Sequence, residues 1–230
     1  MKHFINIKDV PYKTLRKILS DTKKRKDLRK KLKTLEIDKD NPLKGILLIQ
    51  MFEKSSLRTR LSFYLAIRQL GGSALTLRPD ELHLSKGGES LSDTAKILST
   101  YGDIFVLRTD NEKKLNSFKK FLSIPLINGL SPNSHPAQIL SDIFTIEEIT
   151  KKNISRLNIC WIGDSNNVLN SLIEASIKFS FKLNIGCPKN YNPPSEMLRM
   201  IKQKSAKIKI FNNPKVAIKN ADVVLTDKVI

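Results

Sequence analysis

Short apolar runs alternate with helix-forming stretches along nearly all of this chain, and that rhythm admits few architectures. Apolar runs at 45 to 52, 73 to 78, 104 to 108 and 124 to 129 are separated by helical patterns at 57 to 70, 91 to 101 and 111 to 121. Strands that alternate with helices in this way predict βαβ units and a parallel sheet covered on both faces. A helix at 136 to 150 follows, and Lys151-Lys152-Asn153 marks a polar break. The alternation then resumes, with strands at 157 to 163, 182 to 186, 207 to 211 and 222 to 226 and helices at 167 to 180, 195 to 205 and 214 to 219. The predicted class is therefore α/β, with two open parallel-sheet, Rossmann-like domains over 1–150 and 151–230 and a cleft between them. Two short helices are expected ahead of the first strand, one after Asp9 with Pro11 in its first turn and one after Asp21.

Where the first strand gives way to a helix stands Phe52-Glu53-Lys54-Ser55-Ser56-Leu57-Arg58-Thr59-Arg60. A helix that starts near Ser56 aims free N–H groups and the positive end of its dipole at an anion. Arg58 adds a planar fork matched to phosphate or carboxylate oxygens, and Ser55, Ser56 and Thr59 add hydroxyl donors. The plainer alternative, a surface helix with ordinary Ser/Thr caps and scattered arginines, stays open at this point. Leu61, Leu65, Ile67 and Leu70 supply apolar support for the helix, which Gly71-Gly72 ends.

With 230 residues, 40% of them hydrophobic, the chain is long enough to bury a sizeable core. No apolar run approaches the ~20 residues that cross a bilayer, and Met1-Lys2-His3-Phe4 does not begin a signal peptide, so a cytoplasmic location and no membrane partner are expected. Cys160 and Cys187 form no metal spacing and read as packing residues. The formal charge of +19 would attract any polyanion or small anion, so it does not choose a partner by itself. Much of it crowds into Lys23, Lys24, Arg25, Lys26, Arg29, Lys30, Lys31 and Lys33, where Leu28, Leu32 and Leu35 recur at helical spacing and suggest a solvated helix face. Aromatics do not interleave with the basic residues and no nucleic-acid motif occurs, so nucleic acid is not an expected partner.

Several polar groups fall at strand ends on the side the first motif occupies. Arg108 closes the strand Ile104-Phe105-Val106-Leu107, and His135-Pro136-Ala137-Gln138 follows the strand that ends at Asn128-Gly129. In the second half Gly163-Asp164-Ser165-Asn166-Asn167 and Thr226-Asp227 end strands. Singly, each reads as a surface charge, a loop histidine or an Asx cap. Their common rim is what points to a site.

The run 52–60, Gln69-Leu70-Gly71-Gly72, Glu89-Ser90-Leu91-Ser92-Asp93-Thr94-Ala95, Leu107-Arg108-Thr109, His135-Pro136-Ala137-Gln138 and Gly163-Asp164-Ser165-Asn166-Asn167 resemble, in order and spacing, the ornithine carbamoyltransferases. The first motif is shared with the wider aspartate/ornithine carbamoyltransferase family, whereas Phe-Glu-Lys and Asp-Ser-Asn-Asn favour the ornithine branch. The resemblance implies a carbamoyl phosphate domain in the first half and an ornithine domain in the second. It carries carbamoyl phosphate binding onto Ser56, Leu57, Arg58, Thr59, Arg108, His135 and Gln138, with Arg58, Arg108 and His135 catalytic, and ornithine binding onto Asn167 and Asp227. The loop with Ser85 and Lys86 looks like the one that reaches the neighbouring site in the family's homotrimer. No metal and no organic cofactor is implied: the neutral δ-amine of ornithine attacks the carbamoyl carbon, and the task of the protein is positioning and electrostatics across a closing cleft.

Two departures bear on these expectations. Leu57 stands where many relatives carry threonine, which removes a hydroxyl and, since leucine occurs there in some relatives acting on N-acylated ornithines, loosens the identity of the amine; N-acylated ornithine and putrescine are the alternative acceptors. The sequence stops at Ile230, before the Ser-Met-Gly and His-Cys-Leu-Pro segments of the family, so an incomplete second domain with an unpaired sheet edge and low stability is expected, and a non-catalytic carbamoyl phosphate binder is the alternative.

Overall fold

The computed structural model describes residues 3–79, 90–204 and 206–227. The chain divides into two compact units, Met1–Ile5 with Arg16–Pro132 and Asn6–Leu15 with Asn133–Ile230. Helix α1 (Tyr12–Leu28) is continuous, where two short helices were expected. Asp21 does not start a new helix because the buried residues Leu15 and Leu19, one turn apart, carry the apolar stripe through the middle of a single helix. Thr22, which follows Asp21, returns its hydroxyl to the Ile18 carbonyl at 2.8 Å, an intrahelical bond rather than a cap.

The first unit contains strand β1 (Leu47–Phe52), helix α2 (Leu57–Gln69), strand β2 (Ser73–Leu77), helix α3 (Leu91–Tyr101), strand β3 (Ile104–Arg108), helix α4 (Glu112–Phe121) and strand β4 (Leu126–Leu130). The strands pair in parallel in the order β2-β1-β3-β4. Alternate residues of β1 and β3 serve opposite faces of this sheet. Ile49, Met51, Phe105 and Leu107 join Leu98, Leu115 and Phe118 in one core, whereas Leu48 and Val106 pack with Ile67 of α2 on the other. Gln50, fully buried in β1, donates to Thr76 Oγ1 at 2.8 Å. Helix α2 ends in a Schellman motif: Gly72 N–H reaches the Ile67 carbonyl and Gly71 N–H the Arg68 carbonyl, with Gly71 at φ +91°. Of the apolar residues expected to support α2, Ile67 is buried while Leu61 is 45% exposed.

The second unit holds helix α5 (Pro136–Thr150), strand β5 (Asn158–Ile162), helix α6 (Asn167–Phe179), strand β6 (Lys182–Gly186), helix α7 (Ser195–Gln203), strand β7 (Ile208–Phe211), the single turn α8 (Pro214–Ala217) and strand β8 (Val223–Leu225). Its sheet is parallel in the order β7-β6-β5-β8. Helix α6 is the central packing element, and Glu174 on it is 3% exposed. That carboxylate accepts the Lys8 backbone N–H at 3.1 Å and faces Lys8 Nζ at 3.5 Å, which ties the segment 6–15 to this unit. Tyr12 adds an edge-to-face contact with Phe179 at 5.6 Å between ring centroids. Strand β8 lies at the sheet edge and leaves Val224 45% exposed.

The first part of the basic segment is a solvated face of α1, with Lys23, Lys24 and Lys26 exposed, but the helix does not carry a leucine stripe on through residue 35. Leu28 is 77% and Leu35 58% exposed, and the helix gives way to a 3-10 turn at Arg29–Lys31. Long-range charge pairing organises it instead. Arg25 meets Asp38 at 2.7 Å and Asp40 at 2.9 Å, and Arg29 also pairs with Asp38.

Candidate functional site

In the first unit the strand order reverses between β1 and β3, and the crevice beyond the carboxyl ends of such a strand pair is where open α/β sheets bind ligands. Phe52 and Arg108 are register partners there, so the loop after β1 and the end of β3 meet. Glu53 N–H donates to the Arg108 carbonyl at 3.0 Å and carries the pairing one residue further.

Ser56 precedes α2 in extended backbone, φ −154° and ψ 90°, and its side chain makes no capping bond to the helix. Its hydroxyl instead accepts from Arg108 Nη1 at 3.0 Å. No acidic residue occupies the first turn of α2, so no carboxylate competes for the N–H groups of that turn. The Arg108 Nε atom is buried without a hydrogen-bond partner, and burial pulls the pKa of its guanidinium down. A desolvated cation with an unused donor beside an acid-free helix start is an anion-binding arrangement. Arg58 lies on the exposed side of the first turn, Thr59 is half-buried, and Leu57 points 68% of its surface to solvent.

Behind this rim sits Glu53, a residue outside the expected site set. The Glu53 carboxylate takes the Thr109 hydroxyl on one oxygen and Lys114 Nζ on the other. Thr109 Oγ1 in turn accepts the Asn111 N–H at 3.1 Å, and Asn111 caps α4 through the Lys114 N–H at 3.0 Å. The loop that carries Ser56 is thereby locked to the start of α4. The Phe-Glu-Lys string contained Glu53, but its partners lie 56 and 61 residues away and have no local signature.

In the second unit His135 is the residue before α5 and Pro136 opens the helix. The His135 N–H donates to Ser171 Oγ at 2.9 Å, and Ser134 and Ser171 share a hydroxyl bond at 3.0 Å, so α6 fixes the start of α5. Gln138, exposed one turn on, donates from Nε2 to Asp142 Oδ1 at 2.8 Å. The strand order of this sheet reverses between β5 and β8, and the Asp-Ser-Asn-Asn run and Asp227 occupy its carboxyl rim. Asn166, not Asn167, is the cap of α6: its Oδ1 accepts from Val168 and Leu169 N–H at 3.0 Å each, and its Nδ2 donates to Asp227 Oδ2 at 3.3 Å. Asn167 is the first residue of the helix. Asp164 Oδ1 and Ser165 Oγ are buried on the same rim without hydrogen-bond partners.

The structure thus brings Ser56, Leu57, Arg58, Thr59 and Arg108 to one rim of the first unit, and it places His135, Gln138, Asn167 and Asp227 in the second. Ser85 and Lys86 lie outside the described residues. Among the described residues no three His, Cys, Asp or Glu side chains converge as a metal site would need, and no helix is long and apolar enough to cross a membrane.

Residues 2–148 match the family described as aspartate/ornithine carbamoyltransferase, carbamoyl-P binding domain, and residues 155–230 match its Asp/Orn binding domain. The ornithine carbamoyltransferase of Rhizorhabdus wittichii is 38% identical over 226 residues, which are 98% of this chain and 72% of that protein. That of Brucella ovis is 39% identical over 227 residues, 99% and 70% of the two chains. Among solved structures, ornithine carbamoyltransferase from Pyrococcus furiosus superposes with a TM-score of 0.90 at 32% identity, over 99% of this chain and 72% of its own. The anabolic ornithine carbamoyltransferase from Campylobacter jejuni gives 0.86 at 34% identity, over 100% and 74%.

Proposed function

We propose, from the premise that this chain belongs to the aspartate/ornithine carbamoyltransferase family, that it transfers the carbamoyl group of carbamoyl phosphate to the δ-amine of ornithine, giving citrulline and phosphate in arginine biosynthesis. The observation that carries this reading is Arg108: held on Ser56, partly desolvated, and with Nε unused, it is prepared for an anionic ligand beside the start of α2.

In this reading residues 1–150 bind carbamoyl phosphate and 151–230 bind ornithine. The first-turn N–H groups of α2, with Ser56, Arg58 and Thr59, hold the phosphate. Arg108 and His135 polarise the carbamoyl carbonyl and stabilise the oxyanion of the tetrahedral intermediate, and Gln138 contacts the carbamoyl group. The δ-nitrogen lone pair forms the new C–N bond, the C–O bond to phosphate breaks, and the nitrogen proton leaves with the phosphate. Asn167 and Asp227 meet the α-amino and carboxylate end of ornithine, and Asn166 Nδ2 steadies Asp227. The working assembly is a cytoplasmic homotrimer; exposed Leu61 and Tyr64 on α2, 45% and 38% accessible, provide apolar surface for subunit contact.

A second reading, a different acceptor amine such as N-acylated ornithine or putrescine, is favoured by one observation: Leu57 presents an apolar side chain, 68% exposed, at the head of the phosphate helix. Colorimetric measurement of ureido product with each of the three amines separates the readings. Citrulline from ornithine alone supports the first, product from another amine alone supports the second, and no product together with no carbamoyl phosphate binding overturns both.

A further inference from the structure

Gln138 and Asp142 sit one turn apart on the same face of α5, joined at 2.8 Å from Nε2 to Oδ1. A carboxylate only accepts hydrogen bonds, whereas a carboxamide can present either its N–H₂ or its oxygen. An ionised Asp142 therefore fixes which end of Gln138 faces it. The amide nitrogen is taken, and Gln138 Oε1 is left as the acceptor that this exposed side chain can offer. A carbamoyl group has an N–H₂ that needs such an acceptor, while inorganic phosphate has none.

We propose that Asp142 is a positioning residue that sets the carboxamide of Gln138 to read the N–H₂ end of the carbamoyl group. The inference rests on the carbamoyl phosphate reading above and deepens it. An i,i+4 amide–carboxylate pair is ordinary on a solvated helix face, but Asp142 is half-buried there. Burial, and then the nearby charge of Asp227, push its pKa above the usual aspartate range. A merely decorative partner would sit in water; this one is held against a desolvation cost, next to the carboxylate assigned to ornithine.

The test compares two ligands on the full chain by calorimetric titration, freshly prepared carbamoyl phosphate and inorganic phosphate. Asp142→Ala is expected to weaken carbamoyl phosphate about tenfold, the scale of one lost hydrogen bond, and to leave phosphate unchanged. On a Gln138→Ala background the same substitution is expected to add nothing, because its effect passes through Gln138. If Asp142→Ala does not fold, Asp142→Asn, equal in shape but able to donate as well as accept, carries the same comparison with the same expected direction. Equal weakening of both ligands, no weakening of either, or a full effect that persists without Gln138 each overturns the inference. Wild-type protein that binds neither ligand overturns the functional reading itself, and the inference with it.

Discussion

Arg108 donates to Ser56 Oγ at 3.0 Å across the carboxyl ends of two neighbouring strands. That single bond accounts for two features at once: the serine before α2 does not cap its own helix, and the guanidinium keeps a fixed direction while part of it is out of water. Ser56→Ala is expected to leave the strands intact and release Arg108, weakening carbamoyl phosphate by about tenfold. Arg108→Lys should not rescue the site, because an ammonium lacks the planar fork. Titration of both variants with carbamoyl phosphate checks this, and unchanged affinity in either would remove the bond from the binding account.

Arg58 differs from Arg108 in exposure, and the two substitutions should separate accordingly. Arg58→Ala, on an exposed first-turn side chain, is expected to change stability by no more than ~0.5 kcal/mol while lowering phosphate affinity and turnover. Paired urea melts and phosphate titrations make the comparison.

Glu53 is the keystone behind the rim, with Thr109 and Lys114 on its two oxygens and only 13% of its side chain exposed. Glu53→Gln removes one acceptor oxygen and strands a largely covered ammonium. A loss of about 2 kcal/mol is expected, below the figure for a fully buried pair because Lys114 retains some solvent. Urea denaturation would measure it, and a loss below ~0.5 kcal/mol would show that water replaces the pair.

Glu174 gives a pH dependence with a definite sign. Burial raises its pKa above the ordinary glutamate value, and the contacts to Lys8 only partly oppose that. Between the ordinary value and the raised one the folded protein holds more protons than the unfolded chain, so this group's contribution to stability falls as pH rises through that window. Glu174→Gln keeps an acceptor for the Lys8 N–H and removes the titration. The difference in thermal midpoint between wild type and Glu174→Gln should therefore shift in favour of the variant as pH climbs through the window and stay level above it. A flat difference across the acid range would contradict the assignment.

Much of this architecture was readable because its signals are local. The runs around Leu47–Phe52 and Ile104–Arg108 are apolar apart from the buried Gln50 and the closing Arg108, as befits strands covered on both faces, and each is followed by a helix start with its own residue signature. The Gly71-Gly72 stop and the Ser56 helix start were legible for the same reason. What escaped was decided by distant partners. Asp21 looked like a cap, yet the buried stripe of α1 overrode it. The leucines among the lysines looked like one helix through residue 35, yet α1 stops at Leu28 and Asp38 draws Arg25 and Arg29 into a charge cluster. Asn166 stood out only through its bond to Asp227, 61 residues on, which leaves no local mark in the Asp-Ser-Asn-Asn run.

The bond from the Lys8 N–H to Glu174 joins positions 166 residues apart, although the stretch on either side of 6–15 belongs to the other unit. Order of synthesis is consequently not order of assembly. Residues 6–15 are made well before α6, yet the Glu174 that receives the Lys8 N–H exists only once α6 has been made, so the second unit is completed around a piece of chain synthesised far ahead of the rest of it.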